Sequence, residues 1–165
     1  MATIPKSTEP KPINYKPVRK SAARLAAVQA LYQMDVAATP LPDILAEFES
    51  HWITGAVEDA EIAPADARLF RDVVEGVVRE QRTIDPVLDA ALVHGWPLKR
   101  IETVLRAVLR AGAFELSGRP DVPARVVVAE YVNVAAAFLD AEETGMVNAV
   151  LDGLARDMRA GEFAR

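Results

Sequence analysis

The chain has 165 residues, 51% hydrophobic and only 6% aromatic, with no cysteine and a formal net charge of −5. That length builds one core, or two small subdomains sharing one. Without cysteine, disulfides and thiolate metal sites are excluded and a reducing cytoplasm is the expected setting. Two histidines, His51 and His94, stand too far apart to suggest a metal cluster. No apolar run approaches the roughly 18 residues of a membrane span, and the first residues lack the apolar centre of a signal peptide.

Charge is unevenly placed. Residues 1–24 carry Lys6, Lys11, Lys16, Arg19, Lys20 and Arg24 against the single acid Glu9, whereas the rest of the chain sums to −10. A basic end on an acidic body points to nucleic-acid contact confined to that end; a solubilising tail is the plain alternative.

Residues 1–17 hold Pro5, Pro10, Pro12 and Pro17 among the lysines and are expected to form an extended, disordered arm. A first helix is expected over 18–37, with Leu25, Val28, Tyr32 and Val36 as its buried stripe at helical spacing. Thr39, Pro40 and Pro42 separate it from a second, over 41–53, carrying Ile44, Leu45, Phe48 and Trp52. The acidic run Glu58, Asp59, Glu61 reads as a loop. Pro64 and Asp66 then open a third helix that buries Leu69, Phe70, Val73, Val74 and Val77 and reaches about Gln81.

Thr83 is placed to cap a fourth helix, with Pro86 in its first turn and Ile84, Val87, Leu88, Ala91 and Leu92 packed, ending at Gly95. Pro97 leads into a fifth, with Ile101, Val104, Leu105, Val108, Leu109 and Leu116, stopped by Gly118 and Pro120. The run Arg125-Val126-Val127-Val128 has the β-branched content of a strand. Val127, Tyr131, Val134 and Phe138, however, recur at steps of four, three and four, so a helix is expected. A last helix opens near Thr144 and carries Val147, Val150, Leu151, Leu154 and Met158; the tail after Gly161 is expected to fray. The result is an all-α chain of about seven helices. The arm 1–17 precedes an N-terminal subdomain, 18–82, and a C-terminal one, 83–165, packed together as one compact unit.

The chain carries no Gly-rich phosphate loop, no GxSxG and no HExxH, so no enzyme activity, cofactor or metal is expected. Asp72 with Glu75, and Glu47 with Ser50, read as solvated helix surface. His94, before Gly95-Trp96-Pro97, reads as a helix-end residue, and Trp52 and Trp96 as core. The sharper signal is basic. Lys20 and Arg24 are four apart on one helix face, Arg19 is adjacent, and Lys16 reaches from the arm. Cations at a helix N-terminus add to its positive dipole end, and Arg holds phosphate bidentately or stacks on a base. A second set, Lys99, Arg106 and Arg110, reads as solvated or paired, Arg110 with a carboxylate such as Glu130.

Four blocks together carry a family resemblance. They are Arg24-x-x-Ala27-Val28-Gln29-Ala30-Leu31-Tyr32-Gln33; Phe70-Arg71-Asp72-Val73-Val74-x-Gly76-Val77; Leu109 to Leu116 followed by Asp121-Val122-Pro123; and Val147-Asn148-Ala149-Val150-Leu151-Asp152. In this order, over about residues 18–157, the chain resembles the NusB family of bacterial transcription antitermination factors. The resemblance implies two packed helical bundles and a non-enzymatic role: binding boxA single-stranded RNA together with the ribosomal protein NusE, within the RNA polymerase antitermination complex. It places Arg19, Lys20 and Arg24 in the family's RNA-binding arginine-rich motif and Tyr32 on a tyrosine that contacts NusE. Glu142 and Met146 fall near a second RNA-contacting region. Leu105 takes a position from which some members present an acidic residue to NusE. Ser21, Ala22 and Ala23 stand where some members have further Arg, Met146 where an aromatic is common, and Ala149 where Gly is usual.

The expected mechanism is electrostatic capture of boxA RNA by Lys16, Arg19, Lys20 and Arg24, while the Tyr32 face holds NusE. Four phosphate contacts imply a log–log salt slope of roughly −3. The alternatives are an RNA-binding module of a ribosomal RNA cytosine methyltransferase, or a helical protein–protein adaptor. The residues leave monomer and homodimer open; a homodimer would hide the RNA face as a storage form.

Overall fold

At the centre lies α4 (Thr103–Gly118), in which every residue from Ala107 to Leu116 is buried. A helix apolar on all sides must be wrapped by others. Here α1 (Lys16–Ala37), α3 (Ala67–Ala91), α5 (Ala124–Phe138) and α6 (Ala141–Met158) all pack on it. The short α2 (Leu41–Phe48) lies against α1, and α7 (Ala160–Phe163) against α6. This arrangement comes from a computed structural model that describes residues 16–50, 66–92 and 101–164, the side chains of 16–18 excepted. Among the described residues there are seven helices and no strand. One continuous core joins α1–α3 to α4–α6. No described helix is long and apolar enough to cross a membrane.

The helix starts follow their caps. Asp66 Oδ1 accepts from the Leu69 amide at 3.0 Å and opens α3. Asp140 Oδ1 accepts from the Glu143 amide at 2.8 Å, so α6 begins at Ala141 rather than near Thr144. The Val126-Val127-Val128 run is helical, as its spacing predicts.

The seven helices differ from the expected seven. The third and fourth are one helix: α3 runs unbroken through residue 82 and contains Pro86. Ile84 and Leu88 continue the buried stripe of Val73 and Val77, so the packing register never breaks. Pro86 is on the exposed side, where the carbonyl it leaves unpaired, that of the exposed Arg82, meets water. The division expected near residue 82 is therefore spanned by continuous helix.

The missing helix is the tail. Instead of fraying after Gly161, the chain forms α7, anchored by Arg159. That guanidinium donates to the carbonyls of Leu116, Val122 and Arg119 at 2.7, 3.0 and 2.8 Å, satisfying acceptors freed at the end of α4. The expectations for the arm before Lys16, for His51, Trp52, the acidic loop and Pro64, and for His94 to Lys99 lie outside the described residues.

The buried face of α1 is also different. Ala23, Ala26, Ala27 and Ala30 are the residues turned to the core, with Val28 and Leu31. Of the expected stripe, Tyr32 and Val36 are exposed, at 40% and 61%. Small side chains let α1 sit close to its neighbours. The same closeness recurs between α3 and α4, where a Cβ on Gly76 would lie 2.1 Å from the tip of the Phe114 ring.

Candidate nucleic-acid and protein interfaces

The first turns of α1 present Arg19 and Lys20 to solvent. Lys16 begins the helix; its side chain is not among those described. The Asp66 amide donates to the Arg19 carbonyl at 3.0 Å, which ties this basic turn to the start of α3. The exposed cations therefore stand on backbone held at two points.

Arg24 does not join them. It is 2% exposed. Its Nε donates to Glu115 Oε2 at 2.8 Å and its Nη2 to Oε1 at 2.9 Å. Tyr131 Oη donates to the same Glu115 Oε2, and Glu130 Oε2 lies 3.7 Å from Arg24 Nη1. Burial opposes the charge on Arg24, but hydrogen bonds and charge from Glu115 outweigh it and raise its pKa above the ordinary value. Burial, then the charge of Glu115, pushes the Tyr131 phenol well above its usual range, so it remains a donor. The expectation that Arg24 grips phosphate is corrected: its fork is occupied by a carboxylate in the core. A charge inside the Ala-lined face of α1 needs a buried partner, and Glu115 is that partner.

The second expected contact region is the start of α6. Glu142 is exposed in the first turn, and Met146 is partly buried against the core. Glu142 stands among carboxylates. Its neighbour Glu143 has a raised pKa, first through partial desolvation and then through the charges of Asp140 and Glu102. Such a cluster repels phosphate and accepts from base amino groups or ribose hydroxyls.

The far half of α1 forms a different surface. Tyr32 lines a groove of about 390 Å³ between α1 and α2, with Gln29, Gln33, Val36, Ala37, Glu47 and Phe48. Gln33 Nε2 donates to Glu47 Oε2 at 3.1 Å, bridging the two helices. Gln29 Oε1 is buried and accepts from no described residue. The groove thus sets the exposed Tyr32 and Val36 beside the polar Gln33–Glu47 bridge, features a protein partner can cover.

Leu105 is not on that surface. It is 3% exposed, in the core face of α4, so the expectation of partner contact through it is corrected. The next residue, Arg106, faces outward and donates from Nη2 to Asp35 at 3.2 Å. Arg110 pairs bidentately with Asp85 at 2.9 and 2.8 Å and also reaches Asp35. It does not meet Glu130, whose Oε2 instead accepts from Ser21 Oγ at 2.8 Å. Sequence reasoning placed Val36 in the core and did not single out Gln29. Counting the four alanines as the buried face of α1 would have turned both Tyr32 and Val36 outward.

With this geometry in hand, comparisons with known proteins agree with one another. The model of the NusB family matches residues 21–156. The chain is 65% identical over 147 residues to the transcription antitermination protein NusB of Bradyrhizobium diazoefficiens, covering 89% of each chain. In structure it is similar to T. maritima NusB, with a TM-score of 0.72, 26% identity, and coverage of 87% of this chain and 95% of that one. The same fold, at a TM-score of 0.66 and 24% identity, occurs in a crystal structure of the antitermination factors NusB and NusE in complex with dsRNA, with 86% of this chain and 98% of that one covered.

Proposed function

Because this chain belongs to the NusB family, we propose that it is a transcription antitermination factor that binds boxA RNA together with NusE and acts by binding rather than by catalysis. The observation that carries the reading is the division of α1 into two solvent faces separated by a buried middle. Arg19 and Lys20 stand at one end; Tyr32 and Val36 stand at the other, beside α2.

The basic turn captures the RNA backbone through exposed charge and the helix dipole, and Lys16 adds to it from the first residue of α1. NusE fills the Tyr32 groove, covering Tyr32 and Val36. Glu142 and Met146 meet base or sugar edges further along the strand. Holding both partners on one rigid helix fixes their relative position, which is what delivering a transcript segment to the RNA polymerase antitermination complex requires.

The test is a gel shift of boxA RNA with the full chain, with and without NusE. A shift strengthened by NusE is expected. NusE binding with no RNA shift would replace this reading with that of a protein–protein adaptor.

A further inference from the structure

Beside the basic turn lies a hollow of about 240 Å³ between α1 and α5, lined by Lys20, Arg24, Asp121, Val122, Pro123, Val126 and Glu130. It is smaller than the roughly 300–1,000 Å³ of clefts for drug-sized ligands. Its floor is apolar: Val126 is 43% exposed, although it sits on a helix where Val127, Val128 and Val134 are buried and Val132 is partly buried. Its wall is acidic. Glu130 Oε2 accepts from Ser21 Oγ at 2.8 Å and lies 3.7 Å from Arg24 Nη1. Its Oε1 accepts from no described residue. Asp121 is the second carboxylate at the rim, 3.3 Å from Arg119.

A phosphate does not belong between two carboxylates. A base does: its flat face covers Val122, Pro123 and Val126, and an exocyclic amino group donates to the open oxygen of Glu130. Lys20, on the rim, is positioned for the phosphate of the same nucleotide. We propose that this hollow is a nucleobase subsite in which Glu130 selects a base with an amino group at this edge, adenine or cytosine, over uracil. Uracil presents its O4 carbonyl where adenine and cytosine present an amino group, and that carbonyl meets the carboxylate lone pairs. The proposal rests on the RNA-binding reading above and adds to it the residue that discriminates.

The experiment uses the full chain at low salt with fluorescent oligo-rA, oligo-rC and oligo-rU of equal length. Wild type is expected to prefer oligo-rA and oligo-rC over oligo-rU by about tenfold, the worth of one hydrogen bond to a charged acceptor. Glu130→Gln should bring the ratio to about one, because the amide can turn its NH₂ toward the uracil carbonyl. Arg19→Ala should weaken all three ligands together and leave the ratio alone. Circular dichroism melting checks that Glu130→Gln folds. Val126→Glu, on the exposed side of α5, occupies the hollow without touching the core and should abolish the ratio independently. A wild-type ratio near one, or a ratio that survives both substitutions, overturns the subsite while RNA binding stands. No affinity for any oligonucleotide, alone or with NusE, overturns the RNA-binding reading and the subsite with it.

Discussion

Arg24 on α1 and Glu115 on α4 form a two-point ion pair, at 2.8 and 2.9 Å, in a region where neither side chain is more than 3% exposed. Breaking it strands a charge in the core. Arg24→Ala is expected to cost about 3–5 kcal/mol, the usual penalty for removing one partner of a buried pair. Arg24→Lys recovers little, since an ammonium cannot span both oxygens. Replacing both residues together with apolar side chains restores much of the loss. Urea denaturation of the single and double variants measures this, and a near-neutral Arg24→Ala would contradict it. Reduced RNA binding by Arg24→Ala would then report lost fold rather than a lost phosphate contact.

The RNA contact should instead track the exposed cations. With Arg24 removed from the set, Lys16, Arg19 and Lys20 give a log–log salt slope of about −2 rather than −3, at roughly −0.7 per phosphate neutralised on a single strand. Arg19→Ala and Lys20→Ala are each expected to flatten the slope by about 0.7 and to leave stability within roughly 0.5 kcal/mol of wild type. Fluorescence anisotropy across a salt series checks both numbers.

Tyr32 and Leu105 should separate cleanly. Tyr32→Ala and Val36→Asp remove or charge exposed groove surface, so NusE affinity is expected to fall by about tenfold or more with an unchanged melting temperature. Leu105→Ala empties a buried site and is expected to cost about 2–5 kcal/mol of stability. Calorimetric titration with NusE and thermal melting together distinguish the two. A Tyr32→Ala variant that binds NusE normally would move the partner surface elsewhere.

Large apolar periodicity located most elements, including the helical reading of Val126-Val127-Val128, because long side chains dominate burial wherever they occur. It misled on α1, where alanines form the packed face and the bulky Tyr32 and Val36 are left outside. Ala is weakly apolar, and only a neighbouring helix turns it into core. Thr83 and Pro86 have the residue types of a cap and a first turn, yet the unbroken stripe from Val73 to Leu88 keeps α3 one helix through both. The basic motif was legible as a motif. Which of its members is structural was not, because Arg24 is separated from Glu115 by 91 positions and nothing local marks their pairing.

The contact between α3 and α4 depends on having no side chain at Gly76. A Cβ there would lie 2.1–2.6 Å from ring atoms of Phe114, itself buried. Gly76→Ala gains helix propensity but must displace the ring, and the overpacking is expected to dominate by about 1–3 kcal/mol. Gly76→Ala combined with Phe114→Leu should recover part of the loss by vacating the ring tip. Denaturation midpoints of the single and double variants test the coupling; additive losses would mean that the two residues do not compete for this space.

The tail lock should respond to acid. Glu162 Oε1 accepts from the Ala124 amide at 2.9 Å, and Oε2 accepts from Arg159 Nη1. The Ala124 amide first, and then Arg159, lower its pKa below the ordinary carboxylate value. An acid whose folded pKa is depressed contributes stability above its unfolded pKa of about 4.3. That contribution disappears as pH falls through the lower folded pKa, because the folded state must then take up a proton it binds poorly. Glu162→Gln is therefore expected to melt below wild type at neutral pH and to converge with it as pH falls through the depressed folded value, since protonation removes from wild type the charge that the variant already lacks. Thermal melts of both proteins across this range decide the matter. A difference that persists undiminished in acid would mean that Glu162 acts through the geometry of its hydrogen bonds to Ala124 and Arg159 rather than through its charge.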